Sequence, residues 1–386
     1  MSTQATPSIL FTHSTPQQGF RLLELPPELV DLISSDDAPT LELKSAQPTS
    51  TTNESDARDS VNLCTPTQTY QIRQVQSSNS LHVLRPSNNL DAVRDDDNDE
   101  DDAMDIDLVN GIMTSISKCG STLELHTPKE EFSAVPYLAK MAGVYHGGEE
   151  EEMQDEDNDQ DQGQEEEIRN AVFSDIPVSR AQCEQAWIDL CVFVLRRRSG
   201  GNAAASCKRP SAECAVSSVW KRVMEAAVLQ GINLEKQFLA NDLWRSMLDD
   251  NGDEPFPRAL FEAVIRRVCE LDATNLLSEL KWTNIDKTRC IQWVGSTYLE
   301  AMAPSADSAL GRSEFLNVWK NYLPEAWTAE VALSKLPEGS YKNPDPTTIC
   351  FSRDVQKKNY SSTANASATA KKTRNWHELF KNQRRR

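Results

Sequence analysis

The sequence predicts an α+β protein in which a small N-terminal β-barrel precedes a series of α-rich units. Three observations carry this reading. Apolar residues alternate with polar ones between Leu41 and Val83, they recur at helical spacing from Trp187 onward, and two acidic runs fall between the predicted modules.

In the first region Leu41 and Leu43, Leu63, Tyr70 and Ile72, and Leu81 and Val83 keep the period of two expected of strands with one buried face. Pro26-Pro27, Pro48, Thr65-Pro66 and the cluster from Ser77 to Ser80 lie between them and read as turns. About five short strands in roughly seventy residues make a small antiparallel barrel, and a unit of that size is marginal by itself and exposes sheet edges. Either a partner supplies what is missing or the barrel is self-sufficient. Pattern alone does not separate the two.

The chain has 386 residues, enough for two to four domains, and a net charge of -19. That average hides a strong segregation. Asp95 to Asp107 holds nine acidic residues and Glu149 to Glu167 twelve, neither with a basic one, so the rest of the chain carries a net +2. Both runs are poor in apolar residues, cannot offset the entropy of ordering, and read as disordered boundaries. Nine cysteines without a CxxC pair indicate neither a disulfide framework nor a zinc site, and reduced, mostly buried thiols are expected. The N-terminus lacks a charged and an apolar signal region, and no apolar stretch approaches the length of a membrane span. These features read as an intracellular, soluble protein without a cofactor or a membrane partner.

Beyond the second run the pattern turns α. Ser179 with Gln182 forms a capping box, and Trp187, Leu190, Cys191, Val194 and Leu195 follow at helical spacing, with Arg196 to Arg198 closing the helix before Gly200. A second helix carries Val216, Val219, Trp220, Val223 and Ala227 and stops near Gly231; a third, after Asn233, carries Phe238, Leu239, Leu243 and Met247. Three such helices suit a winged-helix module or a plain three-helix unit, and no hairpin is evident from the sequence. Leu260, Phe261, Val264 and Val268 mark a further helix. Asp286 caps one bearing Ile291, Val294 and Tyr298, and Ser313 caps another with Phe315, Trp319 and Tyr322, which Pro324 stops. Thr348 to Phe351 reads as a strand, and the tryptophans read as core anchors rather than base-stacking platforms. The expected organisation is a disordered 1–17, a barrel region 18–147 with an acidic insertion at 95–107, an acidic linker 148–170, and helical units at 171–250, 254–304 and 311–386.

The residues of the first region also resemble a family. Gly19 to Leu25, Leu41 to Ser45, Leu63-Cys64-Thr65, Thr69-Tyr70, Arg73, Val75 and Ser78-Asn79-Ser80-Leu81 stand in the order found in the family of defective in sister chromatid cohesion protein 1, an accessory subunit of the alternative replication factor C clamp loader. The later match is more in plan than in letters: Ser121 to Leu125 resembles a short strand before the helix at Pro136 to Met141, and Phe315 to Pro324 resembles the opening of the family's final unit. Leu379-Phe380 is similar to a landmark that many relatives continue past, whereas this sequence ends at Arg386.

The resemblance implies a barrel completed by partner subunits and a series of winged-helix units. The partners it implies are the large clamp-loader subunit and its small accessory subunit, the small replication factor C subunits and the sliding clamp indirectly, and DNA polymerase epsilon. It implies a nuclear location and assigns ATP hydrolysis to other subunits. The candidate partner-binding residues are Phe20, Arg21, Leu22, Leu23, Tyr70, Ile72, Arg73, Asn79, Leu81 and Val83.

From Arg353 to Arg386 ten Lys or Arg face two acidic residues, a net +8. Lys357, Lys358, Lys371, Lys372, Arg374, Arg384, Arg385 and Arg386 are therefore candidates for weak, sequence-independent DNA binding, with a nuclear-import signal or a solvated tail as the alternative. No phosphate loop, HExxH, GxSxG or metal-ligand spacing is present, and an enzyme is not expected. A second reading of the whole chain is an acidic nuclear chaperone for histones or other basic proteins, with the two acidic runs as counter-charge. A third, an autonomous winged-helix transcription factor, lacks a helix with an evident base-reading face.

Overall fold

The computed structural model describes residues 8–45, 61–87, 109–127, 132–148, 159–199, 202–249, 252–271 and 276–352. The chain divides into two compact units. The first comprises 1–43, 60–65 and 69–128, and the second comprises 44–59, 66–68 and 129–386.

The first unit is a curled half-barrel sheet. Its strands are β1 (Ser8–His13), β2 (Leu22–Glu24), β3 (Glu42–Ser45), β4 (Val61–Cys64), β5 (Thr69–Ser87) and β6 (Val109–His126), with helix α1 (Pro27–Ile33) between β2 and β3. The sheet order is β1-β6-β5-β4-β3. β2 also pairs with β6, so β1 and β2 lie one after the other along the same edge of β6, both parallel to it.

Three expectations are corrected in this unit. The region 1–17 is not wholly without structure, because β1 pairs with β6 from Ser8↔Val109 to His13↔Ser115. Pro27 does not mark a mere turn but opens α1, where its fixed φ and missing N–H cost nothing. The polar cluster Ser77 to Ser80 is no turn either; it lies inside β5, a strand of 19 residues. There the stretch from Gln76 to Leu81 faces only Ser121 to Cys119 of β6, and a second register shift follows between Val83 and Leu84. Extra residues on one side of an antiparallel pair bend it and increase its twist, so two long irregular strands curl as several short ones joined by turns would.

The second unit contains α2 (Val135–Met141), β7 (Gly143–Tyr145), α3 (Asp159–Ser174), α4 (Arg180–Asp189), β8 (Phe193–Ser199), β9 (Asn202–Pro210), α5 (Lys221–Gln230), β10 (Phe238–Leu239), α6 (Ala240–Arg245), α7 (Arg258–Val268), β11 (Trp282–Thr283), α8 (Lys287–Met302), β12 (Leu310–Gly311), α9 (Arg312–Asn321), β13 (Tyr341–Lys342) and β14 (Thr348–Phe351). A π-helical segment, Cys214–Trp220, leads into α5. Two three-stranded sheets repeat one arrangement. In β7-β9-β8 and in β12-β14-β13 the first strand pairs with the last, and β10-β11 is a two-stranded sheet between them in sequence.

The capping box at Ser179 forms as the spacing predicts, with Gln182 N donating to Ser179 Oγ and the Gln182 side chain accepting from Ser179 N. The helix it starts ends at Asp189, and the residues expected to prolong it, from Val194 through Arg198, belong instead to β8. β8 and β9 form the hairpin that the sequence did not reveal. The cause is burial on both faces. Val194 packs into one apolar cluster, with Leu138, Phe173, Ile176 and Trp187, while Phe193 and Leu195 pack into another, with Trp220, Phe261 and Trp319. A strand between two cores shows a continuous apolar run instead of alternation, and periodicity then cannot tell it from a helix. Cys191 makes the break, with a left-handed φ of 50° just past the end of α4.

Other boundaries move for similar reasons. Phe238 and Leu239 form β10 rather than part of a helix, α9 starts at Arg312 with Gly311 as its N-cap rather than Ser313, and the second half of the acidic linker, from Asp159, is the start of α3. The expected helix caps at Gly231 (φ 66°) and Asp286, which accepts from Arg289 N at 3.0 Å, are present. Trp187, Trp220, Trp244, Trp293, Trp319 and Trp327 are buried core residues, whereas Trp282 is exposed.

Candidate partner-binding surface

The first unit has a small interior. Leu29 of α1 packs on Leu63 of β4 and Tyr70 of β5, with Leu25, Leu32, Leu41, Ile72 and Leu125 partly buried around them. Burial and the Glu28 carboxylate both raise the pKa of the Tyr70 phenol, which keeps it neutral in this small core. Outside that core the unit leaves Ile9, Phe11, Phe20, Leu23, Val30, Ile33, Leu43, Val61, Leu81 and Leu84 exposed. Leu43 on β3 is 67% exposed and Ile9 on β1 is 62% exposed, so each of the two outermost strands of the described sheet carries an exposed apolar side chain. Isolated exposed apolar residues are ordinary, but several on the edge strands of a half-barrel sheet are the arrangement that invites another strand.

The structure brings the sequence-predicted residues together in two places. Near one end of β6, Leu22 lies opposite Thr122 and Leu23 opposite Leu123, while from the other side Val75, Gln74, Arg73 and Ile72 oppose Thr122, Leu123, Glu124 and Leu125. Arg73 thus faces Glu124, which in turn faces Glu24. Further along, Leu81 opposes Cys119, whose thiol donates to the carbonyl oxygen of Phe20 at 3.5 Å. Tyr70 is buried and Ile72, Leu22 and Val83 are half-buried, while Phe20, Arg21, Leu23, Arg73, Asn79 and Leu81 are exposed. The expectation that Leu81 is buried with Tyr70 and Ile72 is not met: Leu81, beyond the register shift that follows Gln76, is half exposed.

Sequence reasoning missed Ile9 and Phe11. The apolar triplet Ile9-Leu10-Phe11 was the available signal. Phe11 stacks edge-on with His13 (5.0 Å between centroids) and His82 (6.1 Å), and His82 Nδ1 lies 2.9 Å from Ser115 Oγ, which ties β1 to β5 across β6.

A family model described as sister chromatid cohesion protein Dcc1 matches residues 20–355, spanning both units. The chain belongs to the Dcc1 family. Membership in the Dcc1 family implies a role in sister chromatid cohesion and a place in a cohesion-related complex. No curated protein matches the chain.

The described residues hold no group of three or more His, Cys, Asp or Glu placed to bind a metal ion, and no helix among them is long and apolar enough to cross a membrane. Burial pushes the Cys191 and Cys269 thiols up to about 12 and the Cys207 and Cys214 thiols up to about 11, and each of these groups is therefore a protonated, weakly nucleophilic thiol at neutral pH. The candidate DNA-binding residues Lys357, Lys358, Lys371, Lys372, Arg374, Arg384, Arg385 and Arg386 lie outside the described residues, as do the acidic insertion 95–107 and Leu379-Phe380.

Proposed function

We propose that this chain is a non-catalytic accessory subunit of the alternative replication factor C clamp loader. Its N-terminal sheet would be completed into a barrel by the C-terminal tail of the large subunit and by the small accessory subunit. The observation that carries this reading is the contrast, among the described residues, between a small buried cluster around Leu29, Leu63 and Tyr70 and the large apolar residues left exposed on the half-barrel, Ile9, Phe11, Leu43, Leu81 and Leu84 among them. At about 25 cal/mol per Å² of apolar surface, covering such residues favours association more than any set of rim charges. The candidate residues Phe20, Leu23 and Leu81 would contact the partners, with Arg73 and Asn79 at the rim.

The second unit is proposed to be a row of winged-helix modules. The support is the recurring order of helix, strand, helices and hairpin, α2-β7-α3-α4-β8-β9 and α8-β12-α9-β13-β14, with the sheet order repeated. On this reading the module boundaries fall near Ser211 and Asp286 rather than near Asn251 and Pro304. The parallel pairing of β7 with β9 departs from an all-antiparallel wing. This arm would reach toward DNA and DNA polymerase epsilon, with the small replication factor C subunits and the sliding clamp engaged indirectly, in the nucleus.

The test is co-expression. Residues 1–147 are expected to be poorly soluble alone and to become soluble and monodisperse with the two partner segments. A fragment that is stable and monomeric and ignores both segments would remove the basis of the proposal.

A further inference from the structure

A cleft of about 300 Å³ opens beside the first turns of α8, lined by Arg267 from α7, Thr288, Arg289, Gln292 and Trp293 from α8, and Pro337. Its chemistry is unequal. Two guanidinium groups, a hydroxyl and a carboxamide supply donors, while Trp293 and Pro337 supply an apolar floor and wall. Arg267 reaches Asp189 through Nη1 at 3.3 Å, but its Nε is buried with no hydrogen-bond partner. Arg289 donates through Nη1 to the Cys269 carbonyl at 3.2 Å, which uses only part of its five-donor fork. The hydroxyl, carboxamide and guanidinium donors of Thr288, Gln292 and Arg289 that line this cleft favour a ligand that brings acceptor oxygens.

We propose that the cleft is a recognition site for a peptide segment that presents one anionic side chain, a carboxylate or a phosphorylated hydroxyl, to Arg267 and Arg289, with Thr288 and Gln292 as further donors. The surroundings favour a peptide over nucleic acid. Asp189 stands on Arg267, Asp286 lines the cleft and caps α8, and Glu330 pairs with Lys287 next to it. A backbone of successive phosphates would meet these carboxylates, whereas a single anionic group fits between them. Trp293 and Pro337 would contact the aliphatic part of such a side chain or its neighbours. This inference is independent of the barrel and of the clamp-loader assignment, since every residue involved belongs to the second unit.

The test uses the full-length chain, with any partner that co-purifies, labelled with ¹⁵N-arginine so that each Nε–H is observed directly. The probes are N-acetyl-phosphoserine amide, N-acetyl-glutamate amide, inorganic phosphate and a ten-nucleotide oligo-dT. One or both capped amino acids are expected to shift the Arg267 Nε–H resonance in a saturable way. Thr288→Val and Arg289→Gln are each expected to weaken that binding by about tenfold, the loss of one hydrogen bond to a charged group. The larger response, to phosphoserine or to glutamate, identifies which anion the site takes. The proposal is overturned if neither capped amino acid moves Arg267, if inorganic phosphate and both capped amino acids bind the variants as well as the parent, or if oligo-dT binds more tightly than the amino acids and responds to the same substitutions.

Discussion

Gly295 sits in the middle of α8, where a glycine is ordinarily a defect worth up to about 1 kcal/mol relative to alanine. Here its missing side chain is filled by Trp319 of α9. A Cβ at residue 295 would lie 2.3 Å from Trp319 Cε2, 2.4 Å from Cζ2 and 2.8 Å from Cδ2. The indole is fully buried and its Nε1 donates at 3.0 Å to the carbonyl oxygen of Ile291, the residue one helical turn before the glycine. Glycine therefore lets the ring lie flat against the helix and share a carbonyl with it.

In Gly295→Ala the ring must retreat by roughly 1.2 Å to reach ordinary contact, in an interior packed too densely to absorb that shift. Overpacking costs about 3 kcal/mol at the upper end of the usual range, and the strained indole bond about 1 kcal/mol more. The gain in helix propensity returns about 1 kcal/mol, leaving a net loss near 3 kcal/mol. For a unit of this size that lowers the thermal midpoint by about 6–12 °C. The assay is thermal unfolding of the full-length chain followed by near-UV circular dichroism, which reports the packed tryptophans. Trp319→Phe in the Gly295→Ala background removes the clashing second ring, so the double variant should be less destabilised than the sum of the two single variants by at least about 1 kcal/mol. A Gly295→Ala protein as stable as the parent, or strictly additive effects, would refute the reasoning.

Two further outcomes follow from the structure and one from the charge of the C-terminal sequence. Ser179→Ala removes the hydroxyl half of the capping box of α4 while the backbone N–H of residue 179 can still donate to the Gln182 side chain, and should cost about 1 kcal/mol, read as a lower urea midpoint with an unchanged slope. With folded-state values of about 12 against 9, Cys191 and Cys269 hold protons in the folded chain that the unfolded chain releases between pH 9 and 12, so stability should fall with rising pH in that window, by up to about 1.4 kcal/mol per pH unit for each thiol, and neither thiol should be alkylated at pH 8 until the chain unfolds. If the basic tail contacts about four phosphates, the affinity of the purified complex for primer-template DNA should fall with salt at a log–log slope near -4, and replacing Lys371, Lys372, Arg374 and Arg384 with Ala should flatten it; an unchanged slope would exclude the tail as a DNA contact.

The sequence by itself determined those features whose cause is local or periodic. The capping box at Ser179, the caps at Gly231 and Asp286, the buried faces of α7 and α8 and the strand at Thr348 need only neighbours a few residues away, and all are where the residues place them. The family was legible for a different reason, because Leu63 to Leu81 carry an ordered set of letters that survives whatever the strand lengths are. Tertiary structure decided the rest. β8 is a strand because two cores claim its opposite faces, and β10 is a strand because Thr283 and Trp282 pair with it from more than forty residues away. The polar run at Ser77 to Ser80 stays extended because β6 holds β5 on both sides of the irregularity, and β1 exists because β6 offers it an edge. The cleft at Arg267 and Arg289 is assembled from α7, α8 and the turn at Pro337, and no spacing along the chain announces it. In each of these cases the deciding neighbour is distant in sequence, and local propensity is overruled by where the chain can bury apolar surface and pair its backbone.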